Sequence, residues 1–103
     1  MKKEEEVNKE CPAEQLLKTL GGKWKMHILH STEGKPKRFS DYMRLIEGTN
    51  KQSLSVALRE LENDGLLIRQ VITEKPIHIE YSLTEKGKLI IPIFDDLYKT
   101  LTD

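Results

Sequence analysis

The stretch TNKQSLSVALRELENDGLL, residues Thr49 to Leu67, carries the most specific pattern in this chain of 103 residues. Its apolar side chains recur three and four positions apart and so share one helical face able to pack on a core: Leu54, Ala57, Leu58 and Leu61. Thr49 or Asn50 can cap the start, with Gln52 as the returning partner of Thr49 in a capping box. Gly65 supplies the left-handed residue that ends a helix. We therefore predict a helix with one face on the core.

The opposite face of this helix carries small or hydrogen-bonding side chains, where a solvated helix usually carries Glu and Lys pairs: Gln52, Ser55, Val56, Arg59 and Asn63. Side chains of this kind can bond to base edges in the major groove of DNA. Two interpretations stay open on this pattern alone. The helix either recognises DNA or is an amphipathic surface helix.

Composition predicts a single domain, because 103 residues with 37% hydrophobic content can bury one modest core. One cysteine excludes an internal disulfide framework. The sequence shows no signal peptide, no lipidation motif and no apolar run near the ~18 residues that a membrane span needs. These features together predict a cytoplasmic protein.

The formal net charge is zero, with 17 basic and 17 acidic residues, which counts mildly against tight nonspecific binding to nucleic acid. The charge is unevenly distributed, however, and residues 11–50 carry a net charge of +3. A local patch matters more than the total for contacts with phosphates. The positive excess lies just ahead of the helix described above.

Residues 1–10 are charged almost throughout, so we predict a disordered arm there, followed by one domain at residues 11–103. Pro12 suits the first position of a helix, and apolar residues follow at helical spacing: Ala13, Leu16, Leu17 and Leu20. A first helix is therefore predicted at residues 11–20. A second is predicted from Lys23 to near Gly34, with Trp24 and Ile28 facing inward.

His27 and His30 lie three residues apart in that second helix, which is a spacing that metal ligands can have. A zinc site needs three or four ligands, and no third one lies nearby in the sequence. No metal site and no cofactor are predicted.

Residues 35–39, KPKRF, are expected to be extended because of their proline and can form a short edge strand. Ser40 is the predicted N-cap of a helix at residues 41–46, which Gly48 ends. Its inward side chains are predicted to be Tyr42, Leu45 and Ile46. This helix, a turn at residues 47–49 and the helix that follows form a helix-turn-helix pattern.

Two strands are predicted after Gly65, at residues 66–72 and 78–83, because both are rich in β-branched or alternating apolar residues. The five residues between them, 73–77, include Pro76 and predict a loop longer than a two-residue turn. A hairpin of this kind after a helix-turn-helix is a wing. The fold class predicted is α+β, mainly α: a winged helix-turn-helix with a two- to three-stranded antiparallel wing sheet and terminal dimerisation helices.

The last helix is predicted from Glu85 to about Leu101, capped by Thr84, and Pro92 is expected to bend or divide it near Lys88. Its apolar face is wide: Leu89, Ile90, Ile93, Phe94, Leu97, Tyr98 and Leu101. A small monomer has little left against which to bury so much surface, which predicts a homodimer. The alternative is packing against the first helix of the same chain.

Five ordered motifs give the chain a resemblance to the HxlR-type family of bacterial MarR-like winged helix regulators, over nearly all of residues 11–97. They are Cys11-Pro12, Gly21-Gly22-Lys23-Trp24, Lys37-Arg38-Phe39, Leu58-Arg59-Glu60-Leu61-Glu62 with Asp64-Gly65-Leu66, and Glu80-Tyr81-Ser82-Leu83-Thr84. The resemblance implies a dimeric transcription regulator that binds inverted repeats in double-stranded DNA. In that arrangement the recognition helix enters the major groove and the wing meets the flanking minor groove.

The resemblance also implies site residues. Groove and phosphate contacts are expected from Lys51, Gln52, Ser53, Ser55 and Arg59, with further contacts from Lys37, Arg38, Lys75 and His78. The dimer interface is expected to include Leu16, Leu89, Ile93, Phe94, Leu97 and Leu101. The wing departs from the family pattern, with Ile72 at a common aromatic position, Ile77 at a proline position and His78 at an arginine position. A neutral histidine attracts a narrow minor groove less than arginine does.

Cys11 precedes Pro12 at the start of the predicted first helix, where exposed N–H groups and the helix dipole favour a thiolate. Lys9 assists this and Glu10 opposes it. Several members of the family that the chain resembles sense oxidants or electrophiles through a cysteine in this position, and the resemblance therefore makes Cys11 a redox-sensing candidate. The alternative is an inert, partly buried thiol.

An enzyme is not predicted, because the sequence shows no Gly-rich phosphate loop, no paired Cys or His set and no nucleophile with a base at a motif spacing. The alternative to a DNA-binding regulator is a winged helix that binds proteins and not DNA. Such a module is expected to carry larger apolar or aromatic side chains at positions such as Gln52 and Ser55.

Overall fold

The computed structural model describes Gly21 and residues 24–102, with the side chains of the last helix described as far as Thr100. Four helices and two strands follow in the order of the chain: α1 (Lys25–Thr32), α2 (Phe39–Leu45), α3 (Lys51–Asn63), β1 (Leu67–Glu74), β2 (Ile77–Leu83) and α4 (Glu85–Thr102). This is the predicted winged helix fold of class α+β. The predicted arm at residues 1–10 and the predicted helix at residues 11–20 lie outside the described residues.

The core lies under α3 and is closed by α1, α2, the start of β1 and one residue of α4. Its buried apolar side chains are Ile28, Leu29, Tyr42, Ile46, Leu54, Ala57, Leu58, Leu61, Leu66, Leu67 and Ile91. All four residues of the predicted apolar face of α3 are among them, which confirms that prediction. Burying each leucine stabilises the fold by about 1.5–3 kcal/mol relative to leaving it in water.

Two polar side chains in this core bond to each other. The Thr32 hydroxyl donates to the Ile28 carbonyl at 2.7 Å and lies 2.6 Å from the Tyr42 hydroxyl. Because the single proton of Thr32 is used on the carbonyl, the Tyr42 hydroxyl is the donor between the two side chains. Burial raises the pKa of Tyr42 to about 12, so the phenol stays neutral, which suits its role as a donor.

Helix α2 begins two residues earlier than predicted, and Ser40 is not its N-cap. Arg38 takes the cap position, and the Asp41 carboxylate accepts its backbone N–H at 2.9 Å. A carboxylate forms a stronger bond than a hydroxyl there and also favours the positive end of the helix. Tyr42 and Ile46 are buried as predicted, but Leu45 is 51% exposed and the prediction that it faces inward is wrong.

Both ends of α3 are defined by local hydrogen bonds. Asn50, the second of the two predicted N-caps, begins the helix, and its side-chain oxygen accepts the Ser53 N–H at 2.8 Å. The alternative, a capping box of Thr49 with Gln52, is wrong. At the other end, Gly65 has a φ of +78°. The Leu66 N–H bonds to the Leu61 carbonyl at 2.9 Å and the Gly65 N–H bonds to the Glu62 carbonyl at 3.0 Å, which is a complete Schellman motif.

Strands β1 and β2 pair antiparallel from Leu67↔Leu83 to Glu74↔Ile77, with a register shift between Val71 and Thr73. Only Lys75 and Pro76 connect them, so the predicted five-residue loop is wrong. The Thr73 hydroxyl donates to the Pro76 carbonyl at 2.8 Å and closes the tip. The edge strand predicted at residues 35–39 is reduced to a single antiparallel β-bridge between Lys37 and Tyr81.

The start of α4 is fastened to the end of α3. The Thr84 hydroxyl accepts the Gly87 N–H at 2.9 Å, which confirms the predicted cap, and donates to the Gly65 carbonyl at 2.7 Å. A Cβ at Gly87 would overlap the Leu66 carbonyl, so only glycine allows this close approach. The helix continues through Pro92, so the predicted division near Lys88 is not found. A proline removes one donor from the ladder, and the flanking bonds are sufficient to hold this helix.

Candidate nucleic-acid interface

The outward face of α3 is the candidate reading surface for DNA. Gln52, Val56, Arg59 and Asn63 are exposed and Ser55 is half-buried, while the residues on the opposite side of the helix are in the core. Lys51 is exposed in the first turn, and Ser53 is half-buried, with its N–H bonded to the Asn50 cap. Because the opposite side of α3 packs on the core, its polar face is turned toward solvent along most of the helix.

The turn between α2 and α3 sets the direction in which α3 leaves the core. Gly48 has a φ of +88°, a conformation that side-chain-bearing residues rarely adopt. A Cβ at this position would lie 3.6 Å from the Trp24 ring, so the indole covers the turn. The helix-turn-helix is thereby packed against the start of α1.

Two of the predicted phosphate contacts precede α2. Lys37 is half-buried, and its backbone bonds to Tyr81 in both directions at 2.9 and 2.8 Å. Arg38 is exposed at the N-cap of α2. The bridge to Tyr81 thus connects this basic segment to the base of the wing.

The wing carries the remaining two predicted contacts. Lys75 is exposed at the tip. The His78 ring lies on β2, where its Nε2 is 2.9 Å from the Glu80 carboxylate, and both side chains are about two thirds buried. His78 therefore already has an acidic partner within its own strand.

One contact beside α3 was not predicted from the sequence. Lys25 is only 6% exposed, and its Nζ lies 2.8 Å from the Glu60 carboxylate on α3. The buried residues of α1 are Lys25, Ile28, Leu29 and Thr32, which is one helical face. That spacing was a usable signal, but a lysine at such a position is ordinarily expected to reach solvent.

The candidate dimer face lies on α4. Leu89, Ile93 and Leu97 are 66%, 57% and 41% exposed, whereas Phe94 is half-buried against the core. Ile91, which was not predicted to face inward, is the α4 residue that enters the core, at 2% exposure. The other two candidates, Leu16 and the side chain of Leu101, lie outside the described residues, as does Cys11.

Comparison with known proteins connects this geometry to a family. The profile of the HxlR-like helix-turn-helix family matches residues 19–103. The chain belongs to this family. Its members are transcriptional regulators and not enzymes.

Individual relatives agree with this assignment. The chain is 44% identical over 87 residues to an uncharacterized HTH-type transcriptional regulator of Methanothermobacter thermautotrophicus, and 44% identical over 88 residues to the uncharacterized HTH-type regulator YybR of Bacillus subtilis. These matches take in 84% of this chain and 66% and 70% of the two relatives, so the chain spans about two thirds of their length.

A solved structure also resembles the chain. The redox regulator HypR in its oxidized form superposes with a TM-score of 0.78 at 37% identity, covering 86% of this chain and 92% of that one. Within residues 24–102, no helix is long and apolar enough to cross a membrane. The same part of the chain holds no group of three or more His, Cys, Asp or Glu side chains that could bind a metal ion.

Proposed function

We propose that this regulator binds an inverted-repeat operator as a homodimer, with α3 in the major groove and the β1–β2 hairpin against the flanking minor groove. The observation that carries the proposal is the polar outward face of α3, opposite a face that is entirely in the core. Arg59 can bond to guanine with two N–H groups, and Gln52 or Asn63 can bond to adenine in the same way. Lys51, Lys37, Arg38 and Lys75 supply cations for phosphates, and His78 lies toward the wing tip.

The same face argues against a protein-binding module. The exposed centre of a protein interface is typically rich in aromatic and large apolar side chains. The outward face of α3 has Val56 as its one apolar side chain, at 41% exposure, among amides and a guanidinium. This chemistry suits base edges and phosphates better than an apolar partner surface.

The experiment begins by selecting genomic fragments on the purified protein and sequencing them, which returns the operator. Duplex binding is then titrated at one fixed salt concentration for the wild type and for Arg59→Ala. We expect the variant to lose about 1–3 kcal/mol of specific binding free energy. Lys88→Ala, which removes an exposed cation of α4 that is not among the proposed DNA contacts, is the matched control and should bind as the wild type does. A selection that enriches no sequence would exclude the proposed function, and an unchanged Arg59→Ala affinity would remove Arg59 from the interface.

We propose in addition that operator binding responds to oxidants or electrophiles through Cys11. Two features support this. Cys11 is the single cysteine of the chain and precedes Pro12 at the start of a predicted helix, where a thiolate is favoured. The structural relative HypR is described as a redox regulator.

A further inference from the structure

Lys25 has a buried charge that is paired with an acidic side chain of α3. Its side chain is 8% accessible, and the Nζ atom lies 2.8 Å from a Glu60 carboxylate oxygen. A buried ammonium group is strongly unfavourable unless it is paired. Lys25 is also the first residue of α1, near the positive end of that helix, where a cation is disfavoured. The contact with Glu60 is thus what makes this position tolerable for a lysine.

Glu60 is at the edge of the reading face of α3. It lies one helical turn after Val56 and two turns after Gln52, and its side chain is 52% accessible. Gln52, Val56, Glu60 and Lys25 line one cleft of about 320 Å³ between α1 and α3. An acidic side chain at this edge would repel the phosphates that approach α3, unless its charge is neutralised from the protein side.

We propose that Lys25 is a positioning residue for DNA recognition: it draws the Glu60 carboxylate back toward α1 and neutralises it at the edge of the reading face. The inference rests on the proposed function of α3. Lys25 itself does not contact DNA in this arrangement, because it is buried beneath α3. Its effect on binding is transmitted by the charge of Glu60.

The consequence is a specific dependence on salt. Lys25→Met keeps a long apolar side chain in the same space but leaves Glu60 uncompensated. Repulsion of phosphates is strongest at low salt and is screened as salt rises, since the Debye length falls from about 30 Å at 0.01 M to about 10 Å at 0.1 M. The plot of log affinity against log salt concentration should therefore become shallower, by up to about one unit of slope. A role confined to packing would lower affinity and leave the slope unchanged.

The experiment measures operator affinity between about 50 and 200 mM salt for the wild type, Lys25→Met, Glu60→Gln and the double variant. We expect Lys25→Met to weaken binding about three- to ten-fold at the lowest salt. The double variant, which has no charge left to neutralise, should return to within about two-fold of the wild type and to its slope. Lys25→Arg should bind like the wild type, and Lys88→Met is the charge-matched control on α4.

Circular dichroism establishes that each variant is folded. If Glu60→Gln does not fold, because it leaves the buried ammonium group of Lys25 without its carboxylate partner, the comparison of Lys25→Met with the double variant decides the matter. A folded Glu60→Gln should bind as tightly as the wild type or more tightly, with a steeper slope, because the carboxylate is removed. Weaker binding by Glu60→Gln at an unchanged slope would make the contact a structural tie and overturn the proposal. Wild-type affinity of Lys25→Met, measured where Arg59→Ala is impaired, would also overturn the proposal. A wild type that binds no duplex would instead contradict the proposed function itself.

Discussion

At the scale of single residues, Tyr42 and Thr32 connect two helices inside an apolar core. Their hydroxyls are 2.6 Å apart, and the Thr32 proton is donated to the Ile28 carbonyl. The Tyr81 ring meets the Tyr42 ring edge-on, with centroids 6.1 Å apart. Burial is the main cause that raises the pKa of Tyr42 to about 12.

Tyr42→Phe should lower the free energy of unfolding by about 1 kcal/mol at neutral pH, because one buried hydrogen bond is lost while Thr32 keeps its bond to the backbone. The difference should depend on pH. An unfolded tyrosine has a pKa of 10.0 and the folded one about 12, so the stability of the wild type is complete below pH 10 and falls as the pH rises from there. Tyr42→Phe does not lose this stability, so the difference in unfolding free energy between the wild type and the variant should become smaller as the pH rises.

Urea unfolding from about pH 8 to pH 11, followed by circular dichroism, measures both effects. Thr32→Val and the double variant complete the cycle, and the two single effects should not add because both remove the same bond. Parallel pH profiles for the wild type and Tyr42→Phe would show that Tyr42 ionises equally in both states.

At the scale of elements, α4 is anchored along one side and unpartnered along another within the described part of the chain. Thr84 and Ile91 fix its first turns against α3 and the core. His30 on α1 holds it further along, with its Nε2 3.0 Å from Asp95. Leu89, Ile93 and Leu97 remain exposed in a row. An apolar row held in a fixed orientation is suited to a symmetric partner.

Leu97→Asp should convert the proposed dimer into a monomer, because it places a charge in the middle of an apolar interface. Sedimentation at micromolar concentration measures this. Lys88→Asp is a suitable control, because nine residues turn the helix by half a revolution and put the same carboxylate on the opposite side of α4. A wild type that sediments as a monomer would contradict the proposed dimer.

At the scale of the whole molecule, the candidate dimer face on α4 and the candidate reading face on α3 are connected by hydrogen bonds. Thr84 bonds to Gly65 at 2.7 Å and to the Leu66 carbonyl at 3.1 Å, so that α4 begins where α3 ends. A symmetric dimer reads half-sites about 34 Å apart or at a multiple of that spacing. Any change at the terminal helices should therefore alter operator affinity by moving the two α3 helices relative to each other.

Oxidation of Cys11 should change operator affinity without altering a residue of the reading face. In the presence of a small thiol, diamide takes up the two electrons and two protons released as Cys11 forms a mixed disulfide with that thiol. Wild type and Cys11→Ser are treated in parallel, modification is confirmed by mass spectrometry, and operator binding is titrated. We expect a shift in the wild type alone. Full modification with unchanged affinity would show that Cys11 has no sensing role.

Much of the fold was predictable because it depends on interactions between neighbours in the sequence. The four apolar positions of α3, its end at Gly65 and the Thr84 cap all follow from helical periodicity or from side chains within a few residues of the backbone groups they satisfy. The outward face of α3 was predictable for the same reason, since it is the complement of the apolar face.

Two of the wrong predictions, the N-cap of α2 and the loop of the wing, arose where neighbouring residues favour two different local structures. Ser40 and Asp41 can both cap α2, and only the observed bond from the Arg38 N–H shows that the carboxylate takes this role. The residues around Pro76 have the composition of a loop, but cross-strand pairing out to Glu74 and Ile77 overrides it. The preference of a single residue for a loop is small compared with the free energy that continued hydrogen bonding and side-chain packing between the two strands supply.

The burial of Lys25 and the exposure of Leu45 were decided by tertiary structure alone. Nothing near Lys25 in the sequence neutralises its charge, and its partner Glu60 reaches it only when α1 packs on α3. Leu45 has an inward position in the helical pattern, yet it is half exposed in the fold. Periodicity shows which side chains share a face, but the neighbours that cover a face or pair a charge come from elements distant in the chain.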